Sequence, residues 1–125
     1  MSKRILIVED QEDNRTILRD VLSTVGYELI EALNGEDGVK LAQSERPDLI
    51  LMDIQLPKMD GYEATQQIKS IAELKTIPII AVTSYALSGD EAKARAVGCD
   101  GYIAKPFSPR EVLAKVRKYL SDEAS

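Results

Sequence analysis

The sequence predicts an α/β domain built on a doubly wound, five-stranded parallel sheet with five helices, for which 2-1-3-4-5 is one strand order. Three observations predict it. Five short apolar runs alternate with stretches of helical pattern along the 125 residues. Three of those runs are continuously apolar, as strands covered on both faces must be. Cap and turn residues punctuate the junctions.

The first run, Ile5-Leu6-Ile7-Val8, follows Met1-Ser2-Lys3-Arg4 and is too short for a signal segment. Glu9 and Asp10 come straight after it, so it reads as a strand. Ile17, Leu18, Val21, Leu22 and Val25 then share one helical face, and Gly26 stops the helix. Tyr27-Glu28-Leu29-Ile30 is interrupted by Glu28 and followed by Glu31, which suits an edge strand. Asn34 with Asp37 opens the second helix, and Pro47 ends its region. Leu49-Ile50-Leu51-Met52 is the third strand, and Asp60 with Glu63 opens the third helix. Ile79-Ile80-Ala81-Val82 is the fourth strand; Ser88 with Glu91 opens the fourth helix and Gly98 closes it. Tyr102-Ile103-Ala104 is the last strand. Ser108, Pro109 and Glu111 supply the cap, first-turn proline and capping-box acid of the fifth helix, whose buried face is Val112, Leu113, Val116 and Leu120. No linker, repeat or low-complexity segment interrupts this pattern, and only the residues from Ser121 onward read as frayed. One domain spanning 1–125, with no output domain, is expected.

Composition narrows the function. Apolar residues make up 44% and charged residues 30%, an ordinary globular balance. The net charge of -5 disfavours direct nucleic-acid binding, which needs Lys and Arg to neutralise phosphates. Cys99 is the sole cysteine, so no intrachain disulfide forms, which suits a cytoplasmic location. On its own Cys99 is best read as a small buried hydrophobe near a helix end. No apolar run is long enough for membrane insertion. The chain has no histidine, which excludes Ser-His-Asp and Cys-His catalysis and a His-ligated zinc. Any phosphohistidine involved must therefore belong to a partner.

The chemistry lies at the C-terminal ends of the apolar runs, which share one rim in a parallel sheet. The first run ends in Glu9-Asp10, the third in Asp53, the fourth in Thr83-Ser84 and the fifth in Lys105-Pro106. Two like charges about 4 Å apart repel by roughly 4 kcal/mol at an effective dielectric near 20, so three converging carboxylates need a cation. Hard oxygen donors select Mg²⁺, with Mn²⁺ as a substitute. A metal, a lysine and a hydroxyl around a carboxylate suit phosphoryl transfer, which depends on positioning and on stabilising oxygens. Asp53 is the expected nucleophile and phosphoacceptor. The metal and Lys105 would hold two phosphoryl oxygens, and Thr83 would donate to the third. Taken singly, Glu9-Asp10 reads as a helix cap, Thr83 as a strand-end hydroxyl and Lys105 as a surface lysine. Their common register turns the balance toward a site.

These residues sit in longer motifs: Ile7-Val8-Glu9-Asp10, Asp48-Leu49-Ile50-Leu51-Met52-Asp53, Leu56-Pro57-x-Met59-Asp60-Gly61, Ala81-Val82-Thr83, and Gly98-x-Asp100-Gly101-Tyr102-x-x-Lys105-Pro106. In this the chain resembles the response regulator receiver domains, whose fold is flavodoxin-like, over essentially its whole length. Asp48 to Pro57, with Gly89-Asp90-Glu91 and Gly98-Cys99, looks most like the stand-alone, single-domain regulators of the DivK and chemotaxis type. The resemblance implies phosphorylation at Asp53. It implies metal binding by Asp10, Asp53 and the backbone carbonyl of Gln55, with Glu9 helping through water. It implies a cis Lys105-Pro106 bond, and a switch in which Tyr102 turns inward when Thr83 moves toward the phosphoryl group. Gln55 and Tyr85 are expected to flank that group and tune its lifetime. Ser84 stands where Ala or Gly is common and Leu56 where Met is common; both keep small or apolar bulk. Asp60-Gly61 is read as turn and cap chemistry.

The implied partners are a histidine kinase or histidine phosphotransfer protein and a downstream target protein, in a phosphorelay read by protein–protein contact rather than by catalysis. The competing reading is a Mg²⁺-dependent phosphohydrolase with an aspartyl nucleophile. Such enzymes commonly carry a second Asp two residues after the first, where this chain has Gln55. A flavin carrier of the same topology needs a hydroxyl- and glycine-rich loop after the first strand. This chain places Glu9-Asp10-Gln11-Glu12-Asp13 there instead.

Overall fold

A computed structural model describes residues 3–83 and 90–120. The elements in chain order are β1 (Arg4–Val8), α1 (Glu12–Thr24), β2 (Glu28–Ala32), α2 (Gly35–Glu45), β3 (Leu49–Asp53), α3 (Gly61–Lys69), β4 (Ile79–Thr83), α4 (Asp90–Ala96), β5 (Gly101–Ala104) and α5 (Pro109–Leu120). The five strands are parallel, as the alternation of runs predicts, and lie in the order β2-β1-β3-β4-β5, that of the flavodoxin-like fold the resemblance implies.

Side chains alternate across the sheet and divide the core into two layers. Ile5, Ile7, Leu49, Leu51, Ile80, Val82 and Ile103 face α1 and α5. Leu6, Val8, Ile50, Met52, Ile79 and Ala81 face α2, α3 and α4. β3 and β4 are buried at every position, which is why their sequences carry no polar alternation. β2 is the edge expected from its glutamates. It starts one residue later than Tyr27 and runs on through Glu31 to Ala32, because Glu31 is held by Arg15 and Arg19 on α1.

Caps follow the sequence signals. Asn34 Oδ1 accepts from the Asp37 N–H at 2.8 Å, Asp60 Oδ1 from Glu63 at 2.9 Å and Ser108 Oγ from Glu111 at 3.1 Å. Gly98, at φ 114°, takes the left-handed turn after α4 that L side chains resist. The Ser88 cap lies outside the described residues. The α1 face is narrower than its apolar residues suggest: Leu18 and Leu22 are buried, but Ile17 is 44% and Val25 40% exposed. A helix lying on a sheet buries only a limited stripe, and Val25 already sits at the C-cap, where the chain leaves it. Cys99 is buried, as expected. Tyr119 on α5 donates its hydroxyl to the Asp100 carbonyl at 2.6 Å.

Candidate functional site

Parallel register sets the site. β1 and β3 are neighbours, with Val8 beside Met52, so the residues that follow emerge side by side. The Ile54 N–H continues the ladder to Val82, and the Lys105 N–H donates to the Thr83 carbonyl at 2.7 Å. Glu9, Asp53, Thr83 and Lys105, spread over the chain, are thereby delivered to one rim. Gly61 brings the start of α3 against this rim: a Cβ there would lie 2.3 Å from the Asp53 carbonyl oxygen, so no other residue fits without displacing one of the two backbones.

Three of the expected acids converge. Carboxylate oxygens of Glu9, Asp10 and Asp53 lie within 4.8 Å of one another. Glu9 and Asp53 are nearly closed to solvent, at 1% and 2% exposure, whereas Asp10 is exposed at the mouth. Lys105 Nζ donates to Glu9 Oε1 at 3.0 Å and to Asp53 Oδ2 at 3.2 Å. Its peptide bond to Pro106 is cis, as the resemblance implies. Glu9 is anchored further: the Gln11 N–H donates to its Oε2 at 3.1 Å, and Arg15 donates to its backbone carbonyl at 3.1 Å.

One ammonium does not balance these carboxylates. Burial, the Glu9 charge and a side-chain hydrogen bond with Glu9 push the Asp53 carboxyl up to about 7, against the opposing pull of Lys105 and the Gln55 N–H. The acidic cleft, about 260 Å³, is lined by Asp10, Gln11, Asn14, Asp53, Gln55 and Lys105. Its donor set is oxygen with a carboxylate excess, which suits a hard divalent cation.

Gln55 enters the site twice. Its N–H donates to Asp53 Oδ1 at 3.1 Å, and its side-chain Nε2 donates to the buried Thr83 Oγ1 at 2.6 Å. Tyr102 is half-buried on β5 and packs against the α2–α4 layer of the core. Tyr85 lies outside the described residues. The sequence reading gave Gln11 and Asn14 no part, yet both line the cleft. Gln11 is the N-cap of α1 and Asn14 lies in its first turn, so their closeness to Asp10 in sequence was the available signal.

Comparison with known proteins agrees with this geometry. The family model described as response regulator receiver domain matches residues 5–117. The polar-differentiation response regulator DivK of Brucella anthropi is 47% identical over 122 residues, covering 98% of this chain and 99% of its own. Its counterpart in Brucella ovis is 45% identical over the same length, with 98% and 99% coverage. Among solved structures, the receiver domain of a sensor histidine kinase from Pseudomonas aeruginosa, with magnesium coordinated in its active-site cleft, superposes with a TM-score of 0.90. It is 36% identical and covers 97% of this chain and 99% of that one. A response regulator from Chloroflexus aurantiacus superposes with a TM-score of 0.93 at 30% identity, covering 97% and 99%.

Proposed function

The chain belongs to the response regulator receiver family, and from that premise we propose that Asp53 takes up the phosphoryl group. We also propose that Asp10, Asp53 and the Gln55 backbone carbonyl hold the Mg²⁺ beside it, with Glu9 acting through water. Members of this family are phosphorylation-switched modules of two-component signalling. The observation that carries the site assignment is the position of Asp53: a buried carboxylate opening into the cleft, 3.2 Å from Lys105 and grouped with two further acids.

The cation fits because the acidic donors are oxygen and the three carboxylates outnumber the one ammonium, that of Lys105, that reaches them among the described residues. When bound, it supplies the positive charge that phosphoryl oxygens require; Mn²⁺, with the same preference for oxygen, serves as a substitute. Asp53 attacks the phosphorus of a phosphohistidine on a partner. An O–P bond forms as the N–P bond breaks, and the imidazole leaves with the electron pair and takes up a proton. Lys105, held between Glu9 and Asp53, stands ready to pair with an oxygen of the transferred group, and the Thr83 hydroxyl donates to another.

The partners are a histidine kinase or histidine phosphotransfer protein upstream and a target protein downstream, reached by protein contact. We read residues 1–125 as a single receiver domain, because one sheet with both faces covered accounts for the ten elements found among the described residues. The charge of -5 argues against a direct nucleic-acid partner. Among the described residues no helix is long and apolar enough to cross a membrane. A cytoplasmic location suits a chain with one cysteine. Phosphohydrolase catalysis is not favoured: Gln55 occupies the place of the second acid, and its amide is engaged with Thr83. Tyr102, beside Ala81 of β4 in the sheet, is the residue we assign to couple Thr83 movement to the face of α4, β5 and α5.

The test is incubation with acetyl phosphate, followed by intact mass. One phosphoryl adduct is expected with Mg²⁺ and none in excess chelator. Equal labelling in both would remove the cation from the account.

A further inference from the structure

The switch that the resemblance implies carries Thr83 toward the phosphoryl group, and in this structure its hydroxyl already accepts a hydrogen bond. Gln55 Nε2 lies 2.6 Å from Thr83 Oγ1, and Thr83 is 1% exposed. The reach of Gln55 is fixed at its other end, because its own N–H is hydrogen-bonded to Asp53 Oδ1. One residue therefore grips both the acceptor carboxylate and the hydroxyl that must respond to it. Oγ1 accepts from the amide and keeps its own proton to donate, so the two contacts compete through position: an Oγ1 carried toward a phosphoryl oxygen leaves an amide whose backbone is held at Asp53.

We infer that Gln55 is a positioning residue that holds Thr83 in its resting place and so sets the threshold for switching. This rests on Asp53 being the phosphoacceptor. It extends the expected part of Gln55 from the lifetime of the acyl phosphate to the equilibrium of the switch itself. A contact made in the resting state and lost in the switched one weakens binding of whatever drives the switch by the weight of that contact.

The experiment is a double-mutant cycle read by the affinity of the full chain for beryllofluoride with Mg²⁺, followed by amide NMR. The variants are Gln55→Met, Thr83→Val and the double substitution. Methionine keeps the bulk of glutamine without its amide, and valine keeps the shape of threonine without its hydroxyl. Gln55→Ala is the second variant at that position, and the amide spectrum of each protein reports folding directly. Gln55→Met is expected to tighten beryllofluoride binding about 3- to 10-fold, the worth of one hydrogen bond. In the Thr83→Val background it is expected to change nothing. In the beryllofluoride-free protein the Thr83 amide resonance should move in Gln55→Met toward its switched position. Weaker or unchanged binding in both Gln55 variants would overturn the inference, as would the same tightening without the Thr83 hydroxyl. Failure of the unsubstituted chain to bind beryllofluoride at all would overturn the phosphoacceptor reading, and the inference with it.

Discussion

Lys105 Nζ stands 3.2 Å from Asp53 Oδ2, joining two residues 52 positions apart. The same ammonium is 3.0 Å from Glu9, and its side chain is only 13% exposed. It is the counter-charge on which two buried carboxylates depend, so the site is held together and charged by the same contact.

Lys105→Met should therefore be costly. Removing one partner from a buried ion pair typically costs about 3–5 kcal/mol, because the remaining charge is left uncompensated. The loss should be large at pH 8 and smaller at pH 5, where Asp53 takes up a proton and the repulsion between the carboxylates is relieved. Thermal unfolding followed by circular dichroism at the two pH values checks this. An equal loss at both would mean that Lys105 acts through packing.

The pH dependence of the chelator-treated protein follows from Asp53 itself. Its folded pKa is raised to about 7 from an ordinary value of 3.8. The folded state therefore binds more protons than the unfolded state between those values, and stability should fall as pH rises from about 4 through 7. Asp53→Asn should flatten that slope and raise the melting temperature at pH 8, by roughly 4 °C for each kcal/mol of repulsion removed. Urea unfolding across the pH range measures the slope, and thermal unfolding at pH 8 the melting temperature.

Gly61→Ala tests the close approach of α3 to β3. A Cβ 2.3 Å from the Asp53 carbonyl oxygen cannot be accommodated by a flexible side chain, since the obstructing atoms are backbone. A loss of about 1–3 kcal/mol is expected, together with weaker labelling by acetyl phosphate. Melting curves and intact mass report the two effects.

Cys99 provides a probe of the α2–α4 layer. Burial pushes its thiol up, with a lesser contribution from the Asp100 charge, and a hydrogen bond with Thr65 works in the opposite direction. Alkylation at pH 8 should be slow in the native protein and fast in urea, measured by mass against time. Rapid native alkylation would contradict the packing of this layer.

Much of this arrangement is written in short-range pattern. Glu28 and Glu31 mark β2 as an edge, and Asn34, Asp60 and Ser108 mark helix starts through their own hydrogen bonds. Glu9, Asp53 and Lys105 are legible as a site because a parallel sheet carries every strand end to the same rim, so each apolar run announces where its last residue points. What pattern does not reveal depends on side-chain reach. Nothing near Gln55 in sequence indicates that its amide meets a hydroxyl 28 residues away. Ile17 looked buried because periodicity counts apolar residues, whereas the width of the sheet surface decides how many of them a helix covers.

The most direct test of the account is to find where the phosphoryl group resides. After acetyl phosphate and Mg²⁺, borohydride reduction converts an aspartyl phosphate to homoserine, and peptide sequencing by mass locates it. Conversion is expected at residue 53 alone, and none in Asp53→Asn. Conversion at Asp10, or reductive loss of an acyl phosphate at Glu9, with Asp53 intact would contradict it.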